Sequence, residues 1–164
     1  MIRQTERILQ KGEVYRFQLQ PIDPYDAFRG RYVSLFYGTQ QVTAEDSLLR
    51  GQTAYIELAK DSSGYAYFSA AYTEAPASGG YLITEISYAQ DSLVTFDLPE
   101  SMAYYYMNEE SAPEVEKLVM RPRSPDDRET VRASVDVRIL NGEAVVEELF
   151  INELPVKEYL KRNK

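Results

Sequence analysis

Val131-Arg132-Ala133-Ser134-Val135-Asp136-Val137-Arg138-Ile139-Leu140-Asn141-Gly142 alternates two chemistries residue by residue. In an extended chain successive side chains point to opposite faces, so Val131, Ala133, Val135, Val137 and Ile139 share one side while Arg132, Ser134, Asp136 and Arg138 share the other. The pattern predicts a strand over 130–140 with one face on a core and the other in water. Asn141-Gly142 follows. This dipeptide tolerates the positive φ that both central positions of a type I′ turn require, and it predicts a two-residue hairpin. In that register Ala144 opposes Ile139 and Val146 opposes Val137, but strict alternation would then bring Glu148 onto the apolar face. A bulge near Glu147-Glu148 would return Leu149 and Ile151 to the core.

Upstream, the same period recurs. Tyr15, Phe17 and Leu19 alternate with Arg16, Gln18 and Gln20, and further strand-like runs occupy 53–59, 65–72, 81–88 and 92–97. Turn signals separate them at Asp61-Ser62-Ser63-Gly64 and Ala77-Ser78-Gly79-Gly80. Residues 31–37 read as a strand with Val33, Leu35 and Tyr37 on one face and Tyr32, Ser34 and Phe36 on the other. Both faces are apolar or aromatic, which suits a strand covered on both sides or one presenting an aromatic row to a partner. Tyr104-Tyr105-Tyr106 reads as a strand with rings on both faces. One helix is expected after Ser111, where Glu114 has capping-box spacing, Pro113 lies in the first turn, and Val115, Leu118 and Val119 line one side. Residues 122–127 end it in a loop. Residues 4–10 form a short N-terminal helix closed by Gly12 as a C-cap. Several short strands at this spacing predict a mainly β fold, an antiparallel β-sandwich or partly open barrel with one short helix. Residues 1–12 form an N-terminal or juxtamembrane segment and 13–164 a single β-rich domain.

Composition narrows the chemistry. The 164 residues carry a net charge of -8, with no cysteine and no histidine. That removes disulfides, thiol catalysis and thiolate metal sites, together with the commonest general base and metal ligand. The acidic balance argues against nucleic acid as a main partner, because phosphate affinity rests on lysine and arginine. Arg121, Arg123, Arg128, Arg132 and Arg138 lie close together, but Asp126, Asp127, Glu129 and Asp136 are interspersed with them, the pattern of a salt-bridged, solvated face. No run of about 18 apolar residues marks a transmembrane helix, and no apolar stretch after Met1 marks a signal peptide.

Two clusters are candidate binding sites. The first is the dense turn Asp23, Asp26, Arg29 and Arg31 with the adjoining Tyr32 and Tyr37. Arg29 is the natural anchor for a carboxylate or phosphate, unless it crosses to Asp23 or Asp26 and only pins the turn. The second is Tyr104, Tyr105 and Tyr106 with Glu109. The chain has fourteen tyrosines and no tryptophan, and tyrosine offers large amphipathic contact area at low rotamer cost as well as good strand-forming tendency. Glu109, Glu110, Glu114 and Glu116 suit the first turn of a helix better than a metal site, since no calcium-loop spacing accompanies them. Neither metal nor cofactor is implied. Ser34 and Ser101 would need a lysine base in the absence of histidine, and no motif places Lys117 for that role.

Pro21-Ile22-Asp23-Pro24-Tyr25-Asp26, Arg29 and then Gly30, Tyr32, Leu35 and Tyr37 resemble the signature of the GDYXXLXY family, with Arg31 standing where the family has aspartate. Tyr105-Tyr106-Met107-Asn108-Glu109, Ala112-Pro113-Glu114 and the hairpin over 135–151 extend the resemblance over most of the chain. The family is a set of mostly bacterial proteins, typically with a hydrophobic N-terminal anchor and often found near polytopic membrane proteins. The resemblance therefore implies an extracytoplasmic domain, tethered by an anchor upstream of residues 3–12, and it attaches no activity. The expectation is a noncatalytic interaction domain engaging a membrane or envelope protein, with membrane contact only through that anchor. The alternatives are a small-ligand or glycan-binding module and a histidine-independent hydrolase.

Overall fold

The computed structural model describes residues 2–20, 32–107 and 132–162. In chain order their strands are β1 (Glu13–Gln18), β2 (Tyr32–Ser34), β3 (Gln41–Thr43), β4 (Thr53–Lys60), β5 (Ala66–Tyr72), β6 (Tyr81–Gln90), β7 (Leu93–Phe96), β8 (Tyr104–Tyr106), β9 (Ala133–Leu140), β10 (Glu143–Ile151) and β11 (Leu154–Pro155). Three helices, Ile2–Lys11, Glu100–Ala103 and Val156–Arg162, accompany them.

The β9–β10 hairpin forms as its sequence dictates. Asn141 and Gly142 have φ of 50° and 84°, the left-handed pair that a type I′ turn requires. Ala144 opposes Ile139 and Val146 opposes Val137; the register then shifts between Val146 and Glu148, so that Leu149 opposes Val135 and Ile151 opposes Ala133. The extra residue, Glu147, is what keeps the apolar face continuous: Val135, Val137, Leu149 and Ile151 are all wholly buried, each worth about 1.5–3 kcal/mol. On the outer face Arg138 takes Glu147 in a two-pronged pair at 3.0 and 3.1 Å. Strand β1 pairs with the other edge of β9, and Arg16 grips Asp136 at 2.7 and 3.0 Å. With β11 this makes a four-stranded sheet, order β1-β9-β10-β11.

A second sheet runs β3-β7-β6-β4-β5. Its ends meet: Ala44 bridges to Ala71, and the Glu45 amide donates to the Ala71 carbonyl at 2.9 Å. The five strands are thus a nearly closed antiparallel barrel around Ile56, Leu82, Ile86, Val94 and Phe96. Of the two expected architectures the chain adopts the barrel. Gly142 joins it to the hairpin, its carbonyl accepting from the Ile83 amide at 3.0 Å. A Cβ there would overlap the Ile83 side chain, so this glycine serves the turn and the junction together. Phe17, Phe68 and Phe96 stack in sequence from one sheet into the other, and the buried side chains of both form one contiguous cluster.

Two expectations change in detail. Gly12 follows the N-terminal helix but does not adopt a left-handed φ. Its amide completes the last helical turn on the Ile8 carbonyl at 2.7 Å, and its missing Cβ lets the backbone press against Ile8 and Ile139. The strand over 31–37 is only three residues long and is covered on one face. The helix expected after Ser111, and the loop over 122–127, lie outside the described residues, whereas Glu100–Ala103 and Val156–Arg162 are helices that no sequence pattern marked. The latter buries Val156 and Leu160, one turn apart on a single face. No helix among the described residues is long and apolar enough to cross a membrane.

Candidate functional site

Among the described residues, strands β2 and β8 pair only with each other, as a two-stranded antiparallel ribbon in which Tyr32 opposes Tyr106, Val33 opposes Tyr105 and Ser34 opposes Tyr104. Two tyrosine-bearing segments some seventy residues apart therefore become neighbours. The ribbon is tied down beyond its ladder: Leu35 donates to the Ala103 carbonyl and the Gln20 amide to the Phe36 carbonyl, both at 2.9 Å.

The ribbon's inner face carries Val33, wholly buried, and Tyr105, packed against the core. The Tyr105 hydroxyl donates to Glu148 Oε1 at 3.1 Å. Burial, the Glu148 charge and that hydrogen bond push the phenol up to about 12. Glu148, an acid out of step with the apolar pattern of its strand, has its partner here. Tyr37, just past the ribbon, also turns inward. Its hydroxyl donates to the Met102 carbonyl at 2.7 Å, its ring meets Phe17 edge-on at 5.3 Å, and burial raises its pKa far above that of a free phenol.

The outer face is different. Tyr32 and Tyr104 meet nearly perpendicular at 5.2 Å between centroids, and Tyr106 lies 6.3 Å from each of them. Tyr32 is 51% exposed, Tyr106 69% and the nearby Phe36 59%. Three such large rings held at a surface form a preordered contact patch, because packing against one another has already restricted their rotamers. Rings at these separations touch one another. What they offer is edges, one outer ring face and hydroxyls.

Of the residues expected to bind, Tyr32, Tyr104 and Tyr106 come together on this patch, while Tyr37 and Tyr105 make internal hydrogen bonds. Asp23, Asp26, Arg29, Arg31 and Glu109 lie outside the described residues. Ser34 stands opposite Tyr104 in the ribbon, Ser101 is exposed on the short helix, and Lys117 is outside the described residues. Among the described residues no three acids cluster closely enough to hold a metal ion. The exposure of Phe36 went unassigned in the sequence, where alternation placed it opposite Val33 and Leu35 without saying which side faced water.

No curated protein and no solved structure matches the chain. The model of one family, described as GDYXXLXY protein, matches residues 1–149. With its signature tyrosine Tyr32 on the ribbon's outer face and Tyr37 turned inward just past it, the chain belongs to the GDYXXLXY family.

Proposed function

We propose that this chain is a noncatalytic interaction domain, held outside the cytoplasm by a membrane anchor, that engages a membrane or envelope protein through the outer face of the β2–β8 ribbon. The observation that carries the reading is the Tyr32–Tyr104–Tyr106 cluster, three rings in mutual contact with the outer two largely in water. Apolar and aromatic area of this kind is costly to leave exposed and is what interfaces bury at their centres. The extracytoplasmic placement rests on family membership alone.

The test uses the full native gene product in its own membranes, with a photocrosslinking amino acid at Tyr32 or Tyr106 and a control at Tyr88, exposed on β6 in the other sheet. The expected result is one membrane or envelope protein linked from both ribbon positions and not from Tyr88. Equal labelling from all three sites, or none from the ribbon, overturns the reading. Release of the protein from membranes without detergent removes the anchored placement independently of any partner.

A further inference from the structure

The barrel has an outward face of its own, on strands that do not pair with the β2–β8 ribbon. Strand pairing sets Tyr72 opposite Tyr55 and Tyr55 opposite Ile83, a cross-strand row over β5, β4 and β6. The next row sets Ala70, Glu57 and Tyr81 side by side, and beyond Tyr55 on the other side Thr53 faces Glu85. Tyr55 and Tyr81 touch at 5.7 Å. Ile83 is 40% exposed, and Tyr55, Tyr72 and Tyr81 are half-buried.

Acids surround these rings. Glu57 sits among them with one carboxylate oxygen held by the Ser69 hydroxyl at 2.8 Å. Asp46, at the Tyr72 end, accepts from the Thr73 amide and hydroxyl at 2.9 Å each. Burial, followed by the charges of Glu57, Glu45 and Asp46, raises the Tyr72 phenol. None of the positions in these rows, Tyr72, Tyr55, Ile83, the buried Ala70, Glu57, Tyr81, Thr53 and Glu85, carries a lysine or arginine. The four-stranded sheet makes the contrast. There Arg16 holds Asp136 directly opposite it and Arg138 holds Glu147 at the bulge of the neighbouring strand, so these two acids on the outer face are neutralised within the chain.

We propose that this barrel face binds an arginine-rich segment of a partner protein. A guanidinium is planar and weakly hydrated: it stacks on a tyrosine ring and takes a carboxylate with two parallel hydrogen bonds, and the face presents rings and carboxylates at adjacent strand positions. A lysine ammonium, compact and strongly hydrated, satisfies the charge without the stacking. The inference is independent of the ribbon, since neither set of tyrosines belongs to the other.

The test titrates the whole chain with a nine-residue serine peptide carrying four arginines, and with the same peptide carrying four lysines, by calorimetry at physiological salt. Binding of the arginine peptide at least threefold tighter than the lysine peptide is expected. Tyr55→Ala and Glu57→Gln should each weaken it about tenfold, as loss of a desolvated cation–π or charge-assisted contact does. Asp91→Asn, at the tip of the β6–β7 turn, should change it less than twofold. Glu57→Gln keeps the shape of the side chain and guards against a Tyr55→Ala protein that fails to fold, and Tyr55→Phe should retain binding. No binding, equal affinity for the two peptides, or the same loss from Asp91→Asn as from Glu57→Gln overturns the proposal, the last because it would mean attraction by net charge alone.

Discussion

Tyr105 and Tyr106 are adjacent in sequence and sit on opposite faces of one ribbon, and the difference between them is what gives the ribbon its character. Tyr105 shares the inner face with Val33 and places its hydroxyl on Glu148. Tyr106 looks outward beside Tyr32 and Tyr104 and is 69% exposed. Tyr37 and Tyr32 repeat the contrast within the other segment. The same side chain is therefore a core residue with its polar atom satisfied in one case and contact surface in the other. An inward tyrosine is fixed by packing and by one acceptor; an outward one meets, among the described residues, its ring neighbours. The two classes should respond differently to truncation, to pH and to loss of the hydroxyl.

Truncation should separate them most. Tyr37→Ala removes a ring packed on Phe17 together with the donor to Met102, and should cost about 3 kcal/mol in urea unfolding. Tyr32→Ala and Tyr106→Ala should each cost less than about 1 kcal/mol. Comparable losses at Tyr37 and Tyr106 would break the division into inner and outer faces.

Alkaline titration comes next. Tyr15 and Tyr105 have phenols pushed up to about 12, against an ordinary value of about 10. Between these pH values the folded chain holds protons that the unfolded chain has released, so stability falls as pH rises. The contribution is intact below pH 10 and is lost progressively towards pH 12. Tyr105→Phe should flatten this decline, because a ring that cannot ionise leaves the linkage; Tyr106→Phe serves as the outward control. Urea midpoints measured at intervals from pH 8 to 11 decide it, and parallel curves for wild type and Tyr105→Phe would contradict the inward assignment.

Loss of the hydroxyl alone should be smaller. Tyr37→Phe keeps the ring and strands the Met102 carbonyl, for about 1 kcal/mol. Tyr32→Phe should be close to neutral.

How much of this could be read beforehand varied with the kind of signal. The β9–β10 hairpin was readable to the residue, because its alternation has only one apolar side, its turn has one favoured dipeptide, and Glu148 is out of step in a way that only a bulge repairs. The ribbon was half readable. Tyr32 to Tyr37 is apolar or aromatic on both sides, so periodicity could not say which face was covered, and its pairing with Tyr104–Tyr106 joins residues that nothing local connects. Barrel closure was not readable, since it rests on a backbone contact between Ala44 and Ala71, residues whose side chains have no distinguishing chemistry. The β10–β11 turn escaped for a related reason. Asn152 and Glu153 adopt positive φ without a glycine; asparagine tolerates that conformation, but glutamate is not a residue that turn rules place there. The tyrosine platform was readable as a composition bias and not as a site: the count of rings was evident, whereas their sorting into inward and outward depended on which residues each strand met.

The smallest effect bears most directly on the outer cluster. If Tyr32 and Tyr104 hold one another, a double-mutant cycle on Tyr32→Ala and Tyr104→Ala should return a coupling of about 0.5–1 kcal/mol, the range for an edge-to-face aromatic pair. Coupling of that size means the patch is ordered before any partner arrives, so that association loses less side-chain entropy than it would with free rings. A coupling near zero would mean that the rings only share a surface. The outer face would then differ from the inner one in rigidity as well as exposure, and a partner would have to order it on binding.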